Sequence, residues 1–126
     1  MKLTLYGGVN EIGGNKILVR EKRTRVLFDF GQSFTMGGDY FAEWLAPRKL
    51  SGCKDYFEFG LLPRIGGLYS KQMLVRTDLN YVRPQIDAVF LSHAHFDHVA
   101  HIYFIDPRIP VFCGHGTKTF MKVEEE

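Results

Sequence analysis

The sequence has few cysteines, no long hydrophobic run and almost no net charge, and each of these shortages excludes a class of protein. Its 126 residues include two cysteines, Cys53 and Cys113, so neither a disulfide framework nor a Cys-x-x-Cys metal site is expected. No apolar run approaches the ~20 residues that a membrane-spanning helix needs, so we expect no membrane partner. The short apolar stretch after Lys2 is not that of a signal peptide, which makes the cytoplasm the expected location.

The balance of charges gives no indication of a nucleic-acid-binding surface by itself. Lys and Arg number 16 against 14 Asp and Glu, a formal net charge of +2, and such a value does not point to a polyanionic partner. The densest basic cluster is Arg20, Lys22, Arg23 and Arg25. It lies between two predicted strands, ~20 Å from their other ends at ~3.3 Å per residue. We interpret it as a solvated hairpin tip.

The hydrophobic pattern predicts a single α/β domain. Hydrophobic residues make up 45% of the chain and aromatic residues 14%, which is enough for a packed core and excludes disorder as the main state. The continuous apolar run Asp87–Leu91 predicts a strand buried on both faces. The other predicted strands are Lys2–Tyr6, Lys16–Arg20, Arg25–Phe30 and Val111–Cys113, and the predicted helices are Asp39–Leu45, Lys54–Phe59, Asp97–Ile105 and a final one from Thr117 to Glu126. Strands that alternate with helices favour helices packed on a sheet.

The segment after the apolar strand carries the chemistry. It reads Ser92-His93-Ala94-His95-Phe96-Asp97-His98, which places three imidazoles and a carboxylate within six residues. In an extended segment His93 and His95 point the same way and can contact one metal ion together. A helix that starts near Asp97 then directs Asp97 and His98 toward a second position. Imidazole nitrogen suits zinc and the carboxylate adds an oxygen ligand.

Two other interpretations of this segment are open. A helix throughout would place His95, His98 and His101 on one face, and the histidines could also be ordinary surface residues. The buried strand ahead of Ser92 favours the strand-end interpretation, because α/β proteins place ligand sites at the carboxyl ends of strands. We expect His101 to be an exposed helical residue and His115 to lie in a loop.

The motifs resemble those of a known family. His93 to His98 has the form HxHxDH, the signature of the metallo-β-lactamase fold hydrolases. The Gly-rich loop with Glu11-Ile12-Gly13, followed by a hairpin that ends in Asp29-Phe30-Gly31, is similar to the opening of the ribonuclease J branch of RNA-processing proteins. The resemblance covers both ends of the chain and is weaker across residues 40–84.

The resemblance implies roles for individual residues. His93 and His95 match the ligands of a first metal ion, and Asp97 and His98 match those of a second. Zinc is the expected metal in both positions, and manganese is a second metal that such a site accepts. The implied catalytic role of Asp97 is to orient the attacking hydroxide. Asp29 matches an aspartate that braces the metal loop by hydrogen bonds, although a strand-end turn residue is an equally good interpretation from sequence alone.

The resemblance also implies that the fold is incomplete in residues 1–126. The complete fold is an αββα sandwich, and these residues correspond to its amino-terminal half, a mixed sheet with helices on one face. We therefore expect a partial domain that lacks the second half, self-associates or needs that half, and is inactive alone. The expected activity is hydrolysis of a phosphodiester, as in RNA. The alternatives are a thioester or small-ester hydrolase and a non-catalytic half-domain that acts as an interaction module.

Overall fold

The computed structural model describes residues 1–35, 48 and 50–124. The helix predicted at Asp39–Leu45 lies outside these residues. The strands are β1 (Lys2–Gly7), β2 (Lys16–Glu21), β3 (Thr24–Phe28), β4 (Ala88–Leu91) and β5 (Val111–Cys113). The helices are α1 (Lys54–Glu58), α2 (Lys71–Leu74), α3 (Phe96–Val99) and α4 (His115–Glu124), and a 3₁₀ turn spans Ile102–Phe104.

The five strands form one mixed sheet in the order β1-β2-β3-β4-β5. β1, β2 and β3 are antiparallel neighbours, whereas β3, β4 and β5 run parallel. The predicted α/β class is confirmed, and the basic cluster lies at the β2–β3 turn as expected. Because Phe28 of β3 pairs with Phe90 of β4, the carboxyl ends of these two strands meet at one edge of the sheet. That edge holds the candidate site.

One face of the sheet is covered and the other is open. Leu27 and Val89 are fully buried and belong to a core that includes Phe57 of α1 and Leu74 of α2, while Met121 of α4 packs against it. The described helices therefore lie on one face, as predicted.

The open face carries the Phe stripe, which we define as Phe28, Phe90 and Phe112; their rings stack with centroid distances of 5.4 and 5.3 Å. Phe90 is 38% exposed, so the prediction that β4 is buried on both faces was wrong.

The helix predicted over Asp97–Ile105 is interrupted. α3 ends at Val99 and the chain continues as a 3₁₀ turn. The reason is competition for backbone hydrogen bonds by Phe30, whose N–H donates to His98 O at 2.8 Å and whose carbonyl accepts from His101 N at 2.9 Å. These bonds replace the i to i+4 pattern that a continuing α-helix requires.

Two helices agree with the sequence to within a few residues, whereas α2 was not predicted and the prediction that His115 lies in a loop was wrong. The prediction at Lys54–Phe59 is confirmed by α1. The final helix begins at His115, two residues before the predicted cap at Thr117, with Lys118 N donating to Gly114 O at 3.0 Å. None of the helices in the described part of the chain has both the length and the apolarity for crossing a bilayer.

Candidate metal centre

Asp29 joins the ends of β3 and β4. Its backbone N–H donates to Phe90 O at 2.9 Å, which continues the strand pairing by one residue. Its side chain then turns to Ser92: Oδ1 accepts from Ser92 N at 2.8 Å and Oδ2 from Ser92 Oγ at 2.9 Å. Asp29 has a φ of +56°, a left-handed conformation that aspartate adopts more readily than most residues. The predicted hydrogen bonding between Asp29 and the 92–98 segment is therefore present.

His98 lies between two carboxylates. Its Nδ1 is 2.8 Å from Asp29 Oδ2, and its Nε2 is 3.2 Å from Asp97 Oδ2. When Nδ1–H donates to Asp29, a neutral His98 presents the lone pair of Nε2 to Asp97. Two acceptors that face each other at this distance are stabilised by a proton or a cation held between them. Histidine ligands of metal ions in proteins commonly donate their second nitrogen to a carboxylate in this way.

Three imidazoles form a cluster at this edge of the sheet. The His93 ring centroid lies 4.5 Å from that of His95 and 4.0 Å from that of His98. We refer to His93, His95 and His98 as the imidazole cluster. His95 has extended backbone angles (φ −67°, ψ 144°) immediately before α3, so the wholly helical interpretation of the segment was wrong. The strand-end interpretation places the rings together as observed.

Two glycine-containing turns hold the segment in place. Gly14 N donates to Asp97 O at 3.0 Å. A Cβ on Gly31 would lie 1.7 Å from Asp97 O, so only glycine fits there. Lys16 links the two turns, because its Nζ donates to Gly31 O at 2.5 Å and lies 3.4 Å from Gly14 O. Burial lowers the Lys16 pKa to about 8, partly offset by Glu11.

Sequence reasoning missed the roles of Lys16, Asn15 and Glu11. Asn15 Nδ2 lies 3.4 Å from His98 Nδ1. Glu11 closes its own loop by accepting from Gly8 N at 3.0 Å and from Ser33 Oγ. The signal for Lys16 was present in the sequence: it opens an otherwise apolar strand directly after the Gly-rich loop, where a charged side chain needs buried partners.

A cavity of about 400 Å³ borders the imidazole cluster. His93, Ala94 and His95 form one side, and Gly116, Thr117 and Phe120 of α4 form the other. Phe120 is 68% exposed, which leaves an aromatic face beside the imidazoles. The site therefore opens to solvent between the imidazole cluster and α4.

His101 is not the exposed residue that the sequence predicted. It is 1% exposed, and its ring makes edge contacts with Phe30 and Tyr56 at centroid distances of 6.3 and 5.3 Å. The pairing with Phe30 that ends α3 also carries His101 inward. Neither ring nitrogen has a hydrogen-bond partner among the residues that the structure describes, and burial lowers its pKa to about 3, with a smaller contribution from Lys16. His101 is therefore a neutral core residue.

The nitrogen and oxygen donors at this site are of the kinds that bind zinc, but there are fewer of them than a catalytic zinc site usually has. Imidazole nitrogen with one carboxylate is a typical zinc ligand set, and a catalytic zinc usually has three protein ligands. Within residues 1–35, 48 and 50–124, no group of three His, Cys, Asp or Glu side chains is arranged to hold a metal ion. The facing acceptors of His98 and Asp97 are the feature that a bound cation would satisfy.

Two of three comparisons with known proteins found a match. The family model described as "Metallo-beta-lactamase superfamily" matches residues 9–111. The chain is similar to the crystal structure of a protein of unknown function from Enterococcus faecalis V583, with 29% sequence identity and a TM-score of 0.66. That match covers 94% of this chain and 26% of the other, so the chain spans about a quarter of its length. No curated protein matches.

Proposed function

Since this chain belongs to the metallo-β-lactamase superfamily, we propose that its imidazole cluster and Asp97 bind the metal ions of a hydrolase. The observation that carries this proposal is the chain of contacts from Ser92 through Asp29 to His98 and Asp97. It joins two parallel strand ends and presents nitrogen and oxygen donors side by side. A structural turn alone would not require a carboxylate against both nitrogens of one imidazole.

We propose that zinc is the metal, with manganese as the alternative. His93 and His95 would contact one ion, and Asp97 and His98 the other. Two protein donors for each ion are fewer than the usual three. The proposal therefore requires further donors from outside this cluster, and it makes the 126-residue chain alone a poor catalyst.

The chain's own residues would have distinct tasks in the reaction. A bound zinc ion supplies Lewis acidity and a water whose pKa is lowered toward neutrality. Asp29 fixes the orientation and tautomer of His98, since its Oδ2 accepts from Nδ1. Asp97 would orient the attacking water by accepting a hydrogen bond at Oδ2. Lys16 and Gly31 keep the Asp97 backbone in place.

The favoured substrate is a phosphodiester, such as RNA. Support comes from the similarity of the Glu11-Ile12-Gly13 loop and the Asp29-Phe30-Gly31 turn to the ribonuclease J branch. The open cavity beside His93 and His95 has a volume of about 400 Å³, which offers room for a substrate group next to the proposed metal donors. Thioester or small-ester hydrolysis uses the same donors and is distinguished by experiment.

The test measures hydrolysis of bis(p-nitrophenyl) phosphate and of p-nitrophenyl acetate with zinc or manganese. It uses the 126-residue chain and the product of the complete reading frame that encodes it. We expect phosphodiester turnover that is lost in Asp97→Asn and kept in Asp78→Asn, which removes an exposed carboxylate paired with Arg64. Turnover of the acetate alone would favour the ester alternative. Equal turnover in both variants would contradict the assignment of Asp97.

A non-catalytic interaction module is the second candidate, and the Phe stripe favours it. Phe28, Phe90 and Phe112 are 41%, 38% and 52% exposed, and exposed apolar surface of this kind often marks an interface. Sedimentation of the wild-type chain and Phe112→Glu distinguishes the candidates when combined with the assay above. Association that depends on Phe112, without any metal-dependent turnover by the complete product, would favour the module.

A further inference from the structure

A basic cavity lies apart from the imidazole cluster. It has a volume of about 380 Å³ and is lined by Arg48, Leu50, Ser51, Lys54 and Arg76. Three of these five side chains are cationic, and none belongs to the candidate metal centre. The proposed hydrolase function therefore makes no use of this cavity.

Backbone contacts rather than flexible side chains bring the cations together. Gly52 has a φ of +55°, and a Cβ there would lie 2.5 Å from Met73 O. Cys53 N donates to the same carbonyl at 2.9 Å. This close approach presses the turn before α1 against the end of α2. As a result Arg76, which follows α2, lies beside Ser51 and Lys54.

The charges in the cavity are only partly balanced. Arg48 pairs with Asp55 through Nη2 at 2.6 Å and Nε at 3.1 Å, and these hydrogen bonds hold the pKa of Asp55 well below its ordinary value. Asp55 thus compensates Arg48. Lys54 and Arg76 form no ion pair with any residue that the structure describes, so within the described residues two positive charges of the cavity have no acidic partner.

We propose that this cavity binds a phosphate group through Arg48, Lys54 and Arg76. Arginine presents planar N–H donors that match phosphate oxygens, and lysine adds a compact positive charge. Arg48 uses two of its five N–H donors on Asp55, so donors are left for a ligand. The phosphate could belong to a nucleic-acid backbone or be a free anion, and both offer the same oxygens to these residues.

The inference does not depend on the proposed metal chemistry, because no cavity residue belongs to the imidazole cluster. It can therefore be tested by binding alone, in the absence of metal. The two probes are inorganic phosphate, followed by titration calorimetry, and a fluorescein-labelled single-stranded oligonucleotide, followed by anisotropy.

The variant Lys54→Gln/Arg76→Gln removes the two uncompensated charges. The matched control Lys22→Gln/Arg23→Gln removes one Lys and one Arg from the exposed β2–β3 turn. We expect the cavity variant to bind about tenfold more weakly or worse, because two charge-assisted hydrogen bonds are lost, and the control to bind like the wild type. For the oligonucleotide, the salt dependence should also become shallower, by about 0.7 in log–log slope for each lost phosphate contact.

The pattern across probes identifies the source of the phosphate. Loss of oligonucleotide binding in the cavity variant supports the proposal with a nucleic-acid backbone as ligand, and loss of phosphate binding alone supports it with a free anion. Equal losses in the cavity variant and the control would overturn it, because the effect would then reflect total charge. If the wild-type chain bound neither the phosphate nor the oligonucleotide, the proposal would be overturned as well.

Discussion

Asp29 and His98 lie 69 residues apart in sequence, and Asp29 Oδ2 accepts a hydrogen bond from His98 Nδ1 at 2.8 Å. The contact exists because β3 and β4 are parallel neighbours whose carboxyl ends coincide. This hydrogen bond fixes the orientation of the imidazole ring through Nδ1 and leaves Nε2 directed at Asp97. The relationship connects the sheet topology to the chemistry proposed for the site.

Replacing Asp29 should weaken metal binding without removing a metal donor. Asn at this position keeps the shape of the side chain but has one acceptor oxygen where Asp29 uses two, so it cannot accept from Ser92 N and from His98 Nδ1 at once, and the hydrogen bond that fixes the His98 tautomer is weakened or lost. We expect zinc affinity to fall by about 10- to 100-fold in Asp29→Asn, measured by calorimetric titration. Asp87→Asn is the control, since Asp87 also accepts from a backbone N–H, that of Arg25 at 2.7 Å, but at the other end of the sheet. Unchanged affinity in Asp29→Asn would show that the brace has no part in metal binding.

Gly31 should tolerate no side chain. A Cβ there would lie 1.7 Å from Asp97 O and 2.3 Å from His98 N, and backbone atoms cannot rotate away as a side chain can. Gly31→Ala should therefore lower the free energy of unfolding by at least about 1–3 kcal/mol, as measured by urea denaturation. The control is Gly116→Ala in α4, where no atom lies within 4 Å of the added Cβ and a helical alanine is favourable by roughly 0.5–1 kcal/mol. Equal stability of the two variants would contradict the close approach of the two turns.

His101 should make the fold sensitive to acid. Burial lowers its pKa to about 3 in the folded chain, whereas the unfolded chain takes up a proton near the ordinary value of ~6.5. The unfolded state therefore binds more protons between these two values, and stability contributed by neutral His101 is lost as the pH falls from about 6.5 toward 3. At pH 5 the loss amounts to about 2 kcal/mol.

A substitution isolates this contribution. His101→Leu removes the titrating group, whose two ring nitrogens have no partner in the described part of the chain, so the unfolding free energy of this variant should depend less on pH than that of the wild type between pH 7.5 and 5. His115→Leu removes an exposed imidazole and should keep the wild-type slope. The comparison uses urea denaturation at both pH values, and a wild-type slope in His101→Leu would rule out His101 as the source of the acid sensitivity.

Local patterns were sufficient to predict much of the site. The i, i+2 spacing of His93 and His95 after an apolar strand placed both rings at a strand end, whereas the bracing position of Asp29 was implied by the family resemblance. The placement of these two rings depends on strand alternation, which is visible in the sequence, whereas the parallel pairing of β3 with β4 was not predicted. Helices on one face of a mixed sheet were implied by the resemblance to the metallo-β-lactamase fold, and the order of the strands was not predicted.

Other features depended on contacts between distant segments and could not be predicted from local pattern. The interruption of α3 and the burial of His101 both result from hydrogen bonds to Phe30, about 70 residues earlier in the chain. The exposure of Phe90 results from an open sheet face that the apolar run in β4 does not reveal. The charge of Lys16 at the start of an apolar strand indicates that it needs polar partners, but the identity of those partners depends on two glycine turns that meet only in the folded chain.

The measurement that tests the central claim most directly is a zinc titration of the 126-residue chain beside His93→Ala/His95→Ala, with His115→Ala as the control for loss of an exposed imidazole. Calorimetry should show weak binding of fewer than two equivalents of zinc by the wild type, because each ion has two donors here where three are usual. The control should bind in the same way, and the double variant should lose the zinc bound by His93 and His95, which leaves at most the weak binding by Asp97 and His98. Binding of zinc by the double variant with wild-type affinity and stoichiometry would contradict the assignment of the imidazole cluster as the metal centre.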